Sequence, residues 1–218
     1  MAAMQHSGGS LPQLLLFPFN GNAIEALDCA AGAFAVVGFI DDSPDKIGRE
    51  YHGVPVLTRE ALAEHSDAMV LAVPGSPRSY RDRAGIINGL LLAPERYAQV
   101  IHRGATVSSQ ADVGHNVLIM AGVVVTSNAR IHHHVCILPN TVVHHDVVVG
   151  AWSLIGSNVS VAGGVILGEN CYVGSGASIR DGVRIGDGAL VGLGSTVTRH
   201  VPPYAVVVGS PAKELGQP

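Results

Sequence analysis

Charge is sparse in this chain. Only 14% of its 218 residues are Asp, Glu, Lys or Arg, and 13 basic side chains face 17 acidic ones. A net charge of −4 disfavours sequence-independent binding of nucleic acid, which needs a basic stripe to displace counterions from phosphate. Long hydrophobic runs are missing too. No stretch reaches the roughly 18 residues of a membrane span, and no basic segment leads into a long apolar one near the N-terminus. A cytoplasmic protein without a membrane span is expected. Three cysteines, Cys29, Cys136 and Cys171, show no CxxC spacing. Neither a disulfide framework nor a zinc knuckle follows, and buried free thiols are the expectation. Aromatic residues make up 5%, against 27 glycines and 47% apolar residues, a balance suited to many short strands and few bulky core plugs.

Residues 1–12 are small and polar and read as a flexible leader. From Gln13, the apolar run Leu14 to Phe17 is followed by Asn20-Gly21-Asn22 and a helical stretch from Ala23 to Ala31. Further apolar runs, Ala33 to Ile40 and Asp67 to Val73, end in Asp41-Asp42 and Pro74-Gly75. Thr58 can cap a short helix through Glu64, and Ser79 to Leu92 reads as another. Strands alternating with helices imply βαβ units and a parallel sheet, so residues 13–97 form a small Rossmann-like α/β domain.

Residues 98–200 follow another rule. Stepping by six from Ile101 to Val197, every residue is Ile, Val or Leu, and glycine often comes next, as at Gly114, Gly150, Gly156, Gly168 and Gly174. Neither the helical period nor simple alternation gives this. A hexapeptide repeat is the signature of a parallel β-helix: each hexad makes one short strand and one corner, and the aliphatic points inward onto its equivalents eighteen residues away.

The unbroken hexads, the segment Phe39-Ile40-Asp41-Asp42, the segment Val143-His144-His145-Asp146 and the 201–213 tail ending Gly209-Ser210-Pro211-Ala212-Lys213 carry a resemblance. The chain resembles the left-handed β-helix acyltransferases, and within them the bacterial nucleotide-aminosugar N-acetyltransferases that have an N-terminal Rossmann-like domain. Within that branch it looks most like enzymes acetylating the 4-amino group of a nucleotide-linked 4-amino-6-deoxysugar, such as GDP-perosamine or a UDP-linked analogue. It is also similar to sialic acid O-acetyltransferases. The resemblance implies a homotrimer, acetyl-CoA as co-substrate, no metal, and a 201–218 tail that closes over coenzyme A. Two other readings share the architecture: a sugar O-acetyltransferase, and a non-catalytic trimer that binds sugar nucleotides.

His145 lies two residues after the inward Val143 and should stand outside the prism wall, where an imidazole can accept the proton of an attacking amine. The resemblance makes it the general base and Asp146 the carboxylate that orients it. Adjacent residues of a regular strand point to opposite faces, so their contact requires the backbone to turn. Gly163, one coil on, is implied as a backbone donor to the oxyanion; a plain corner glycine is the alternative. The tract His132-His133-His134 offers one chain only part of a tetrahedral metal set. His134 and His144 are better placed in the coenzyme cleft. The family's second histidine, nine residues after the base, is here Leu154.

In the front domain, Asn20, Gly21 and Asn22 open the first helix, whose free N–H groups suit a phosphate, but GxGxxG is absent and NAD is disfavoured. A sugar nucleotide would use Asp41 or Asp42 for base or ribose and Arg78 for phosphate, although both aspartates can simply form the turn before Ser43-Pro44. For coenzyme A the resemblance implies Gly174 and Gly192 along the pantetheine arm, and Arg199, Pro211, Ala212 and Lys213 at the nucleotide end.

Overall fold

The structure, a computed structural model, describes residues 10–215; part of the expected leader, residues 1–9, and the last three residues of the tail lie outside them. The front unit holds β1 (Gln13–Phe17), α1 (Gly21–Ala30), β2 (Ala35–Ile40), β3 (Glu50–Tyr51), β4 (Val54–Leu57), α2 (Ala61–Glu64), β5 (Met69–Ala72) and α3 (Arg83–Asn88). Its sheet runs β3-β4-β2-β1-β5, with every pair parallel except β3 with β4. Leu14, Leu15 and Leu16 are fully buried, the continuous apolar run of a strand covered on both faces.

Two local expectations are corrected. Thr58 does not cap α2; Glu60 holds that position without a side-chain bond, and the helix is only four residues long. The expected 79–92 helix breaks into a 3₁₀ turn, Tyr80–Asp82, and the short α3, where Gly85 and Gly89 offer poor helix propensity. The β3–β4 hairpin was not anticipated. Its His52 and Gly53 both take positive φ, 49° and 81°, as a two-residue primed turn requires.

From Gln99–Ile101 onward the chain is a left-handed parallel β-helix. Three sheets are stacked from two- or three-residue strands, and the register between coils is eighteen residues: Val125 pairs Val143 and Val143 pairs Val161, as Ile131 pairs Val149 and Ile137 pairs Ile155. The hexad aliphatics form one core, nearly all of it sealed from solvent. In the middle coil the first sheet holds Cys136–Ile137, the second Val142–Val143 and the third Val148–Val149. The third residue of most turns lies at positive φ, where Asn and Gly are tolerated best.

The front unit covers the first sheet. Asn20 caps α1 by accepting the Ala23 N–H at 3.0 Å, and the small residues Ala23, Ala26 and Ala30 let the helix lie close to Leu118, Cys136 and Leu154. The tail continues the same sheet with Val206–Val208 and then turns back, Lys213–Glu214 pairing antiparallel to it. Among the described residues no helix is long and apolar enough to cross a membrane.

Candidate functional site

The corner between the second and third sheets carries His144, His145 and Asp146. Asp146 sits at φ 59°, and this left-handed turn swings its side chain back beside its neighbour. His145 Nδ1 and Asp146 Oδ2 are 2.7 Å apart, so the contact that a straight strand forbids is made at the corner. One coil earlier Asn128, also at φ 59°, donates from Nδ2 to the other carboxylate oxygen at 3.2 Å. The bonds from His145 and then Asn128, with Arg130 nearby, hold the Asp146 carboxyl below its ordinary range. A neutral imidazole that donates Nδ1–H to this carboxylate keeps its lone pair on Nε2.

Gly163 lies against that free nitrogen. A Cβ built there would stand 2.6 Å from His145 Nε2, so the absence of a side chain gives the ring its room. Among the described residues the Gly163 N–H has no acceptor, while its neighbours bind the coils together, Gly164 N–H to His145 O and Gly182 N–H to Gly163 O, each at 3.0 Å. Beside the pair opens a cavity of about 540 Å³ lined by Gln110, Asp112, Asn128, Arg130 and Asp146. His144 is half-buried and is held by its backbone N–H to Val161 O.

His134 is not at this corner. It is buried at the corner between the third and first sheets, where the front unit docks, and this corrects its expected place in the coenzyme cleft. Its ring stacks on Trp152 at 5.7 Å, meets Tyr97 edge-on, and shares a 2.9 Å hydrogen bond between Nδ1 and Asn116 Nδ2. Burial, and then the charges of His115, His133 and Arg83, draw its pKa down to about 4.

Turn residues recurring every eighteen positions make this corner a docking column. Asn116 bonds both the N–H and the carbonyl of Ala72; Arg83 donates to the carbonyls of Trp152 and His134, each at 2.8 Å, and to that of Pro74. Asn170 donates to Arg81 O, Tyr80 to Gly188 O, and Arg81 to the carbonyls of Gly188 and Tyr204. Arg83 is fully buried, and burial draws its pKa down to about 10. Neither Arg83 nor this column was read from the sequence; the periodic Asn116 and Asn170 were its only signal.

At the carboxyl ends of β1, β2 and β5 lies a second cavity of about 410 Å³, lined among others by Pro18, Asp41, Asp42, Lys46, Arg59 and Gly75. Asp41 is buried and engaged: Oδ2 accepts from the Phe19 N–H and from Lys46, and Oδ1 from the Ser43 N–H. Burial opposes its charge, but the Ser43 N–H and Lys46 outweigh it and keep the carboxyl below its ordinary range. Asp42 forms a fork with Arg59 at 2.6 and 2.7 Å. The sequence reading missed Lys46 and Arg59, whose partners are distant or in a turn. Asn20 is occupied by its cap and by Val73 O, Asn22 reaches the same carbonyl, and neither they, Gly21 nor Arg78 line the cavity.

At the far end Arg199, Ala212 and Lys213 come together around a cavity of about 270 Å³, with His200 beside them. Pro211 precedes them without lining it. Gly174 and Gly192 have a packing reason: a Cβ would stand 2.6 Å from Leu193 N at the first and 2.7 Å from Val208 Cγ1 at the second. Leu154 is buried under the front unit, so the family's second histidine has no counterpart at the His145 corner. All three cysteines are free and buried. Burial raises their pKa values, Cys136 to about 12 and Cys29 and Cys171 to about 11, so none is a nucleophile at neutral pH. Among the described residues no three His, Cys, Asp or Glu side chains converge as a metal site.

Residues 128–163 and 164–199 match the bacterial transferase hexapeptide family, described as six repeats. A search of curated protein sequences gives no match. Among solved structures, a mutant of perosamine N-acetyltransferase from Caulobacter crescentus, in complex with CoA and GDP-perosamine, is 27% identical with a TM-score of 0.83, over 97% of this chain and 99% of that one. The acetyltransferase domain of PglB from Neisseria gonorrhoeae, in complex with acetyl coenzyme A, is 25% identical with a TM-score of 0.82, over 95% and 100%. WeeI from Acinetobacter baumannii shares the fold at 22% identity and a TM-score of 0.80, over 94% and 100%. The chain is similar to hexapeptide-repeat sugar N-acetyltransferases across both its front unit and its β-helix.

Proposed function

We propose that the protein transfers the acetyl group of acetyl-CoA to the 4-amino group of a nucleotide-linked 4-amino-6-deoxysugar, with His145 as general base. The coarse activity, an acetyl-CoA-dependent sugar acetyltransferase, is supported by the hexapeptide match and by relatives solved with coenzyme A that align over nearly the whole chain. One observation carries the assignment of the base: at an exposed corner, the Asp146 carboxylate lies 2.7 Å from His145 Nδ1, placed to accept a hydrogen bond from it, and Nε2 faces a bare glycine.

The amine attacks the thioester carbonyl directly, its proton passes to Nε2, and the Gly163 N–H faces the developing oxyanion before coenzyme A leaves as the thiol. Protonated, buried cysteines are consistent with a reaction that forms no acyl-enzyme. Coenzyme A is assigned to the groove that ends at Arg199 and Lys213, and the nucleotide to the cavity at the carboxyl ends of β1, β2 and β5. There Asp42 and Arg59 are the groups left to meet base or ribose, since Asp41 is engaged with its own turn. This cavity adjoins the Pro74–Ser79 loop, which is anchored through Arg83 to the docking corner, whereas His145 is on another corner of the prism. That separation supports a homotrimer in which each site is completed by a second copy, working in the cytoplasm where acetyl-CoA is available.

The test is incubation with acetyl-CoA and a panel of GDP-, UDP- and dTDP-linked 4-aminosugars, following thiol release, with mass by light scattering. Release with one nucleotide family, a trimeric mass, and a loss of about 10² to 10⁴ in rate for His145→Ala with acetyl-CoA still bound are expected. No release with any acceptor, or full turnover by His145→Ala, refutes the reading.

A further inference from the structure

We propose that Asn128 is a positioning residue that acts on His145 through Asp146, fixing the carboxylate so that the imidazole keeps its proton on Nδ1. The inference deepens the proposed mechanism, and its kinetic arm rests on that reading.

Asp146 is more than half exposed, its side chain at 57%, and an exposed carboxylate on a two-bond stem turns readily between water and its neighbour. One hydrogen bond to His145 leaves that rotation open. The second, from Asn128 Nδ2 to Oδ1 at 3.2 Å, reaches the other oxygen from the coil below and defines the carboxylate plane. A neutral amide is suited to this task. A lysine or arginine in its place would compete with the imidazole for the negative charge, whereas the amide orients the carboxylate and leaves it anionic.

The plain account of Asn128 is its backbone. It occupies a left-handed turn at φ 59°, as do Asn116, Asn140, Asn158 and Asn170 at 52°, 61°, 56° and 54°. Along its own corner, however, the equivalents one and two coils past Asp146 are Gly164 and Gly182, so backbone conformation alone is met there by glycine. The side chain at 128 therefore has a purpose beyond the turn. Both Asn128 and Asp146 line the cavity of about 540 Å³ beside the His145 corner.

The two accounts separate with Asn128→Gly, which keeps the turn and removes only the amide. Imidazole tautomers are read by long-range ¹⁵N–¹H NMR, with His145→Gln assigning the signal. Wild type should show the Nδ1–H form for His145, and Asn128→Gly should move it toward the Nε2–H form that free imidazole favours, at an unchanged melting temperature. In the acetyl-transfer assay kcat should fall about 3- to 10-fold with KM for acetyl-CoA unchanged. Asn128→Asp, the same size, sets a second carboxylate against the first and should alter the pH profile of kcat. An unchanged His145 tautomer in Asn128→Gly overturns the inference, as does unchanged kcat in an active enzyme. An altered tautomer in a protein that acetylates no aminosugar supports the relay and refutes only the proposed activity.

Discussion

Replacing Arg83 by methionine should loosen the front unit from the β-helix. Methionine keeps an unbranched stem of similar reach, so little cavity is created and the loss is confined to the guanidinium. That group donates to the carbonyls of Pro74, His134 and Trp152, tying the loop after β5 to two successive coils. Hydrogen bonds with a charged partner contribute about 1.5–3 kcal/mol each, so three give roughly 4.5–9 kcal/mol. Against this stands a cation buried without a carboxylate. Its pKa, drawn from 12.5 to about 10, corresponds to a cost of about 3 kcal/mol. The difference leaves a net destabilisation of about 1.5–6 kcal/mol, a large share of an ordinary domain's stability. Urea unfolding followed by the fluorescence of Trp152, the single tryptophan, and by circular dichroism measures it. Arg83→Lys retains the charge but cannot span three carbonyls, and should recover only part of the loss. A change below 1 kcal/mol in Arg83→Met, or full stability in Arg83→Lys, would show that the fork is not what joins the two units.

Three other outcomes are expected. Gly163→Ala should displace the exposed His145 ring, lowering kcat by about 10²-fold with little change in melting temperature, as kinetics and thermal unfolding will show. Buried His134, with a folded pKa near 4 against about 6.5 unfolded, takes up its proton first in the unfolded chain. Stability is therefore intact above pH 6.5 and declines as the pH falls toward 4, by about 3 kcal/mol, and His134→Leu should flatten that part of a denaturation series taken from pH 7.5 to 4.5. Truncation after Val208 should raise KM for acetyl-CoA while sugar-nucleotide affinity holds; an equal loss of both would assign the tail to folding instead.

The β-helix was legible because its rule is local. One aliphatic every six residues specifies the inward position, and each such residue from Ile101 to Ile179 pairs with its equivalent eighteen residues on, in the next coil. His145 was legible for the same reason, since its place relative to Val143 sets it outside the wall. What escaped depends on contacts far apart in the chain. Asn128 and Asp146 are eighteen residues apart, Arg59 and Asp42 seventeen, and Arg83 and Trp152 sixty-nine. His134 was misplaced because sequence neighbours in a β-helix do not share a corner: ten residues from His144, it faces the front unit on the opposite side of the strand Cys136–Ile137 and the turn that follows. The short α3 and the hairpin at His52-Gly53 turned on glycines that periodicity alone does not weigh.

The docking column and the His145 corner are cut from the same stack of coils, and this makes the prism a ruler. Front-unit anchors fall on successive turns at Asn116, His134, Trp152, Asn170 and Gly188, while the imidazole is fixed to one coil of the series. On the proposed function, the span between a nucleotide in the front-unit cavity and the imidazole would be graduated in steps of one coil, about 4.8 Å. Moving the histidine pair by eighteen residues shifts the reacting point by one graduation without bending a single strand. If the proposed function holds, a chain of this build would be retuned to a longer or shorter acceptor by editing a repeat, leaving the front-unit cavity and the arrangement at the corner as they are.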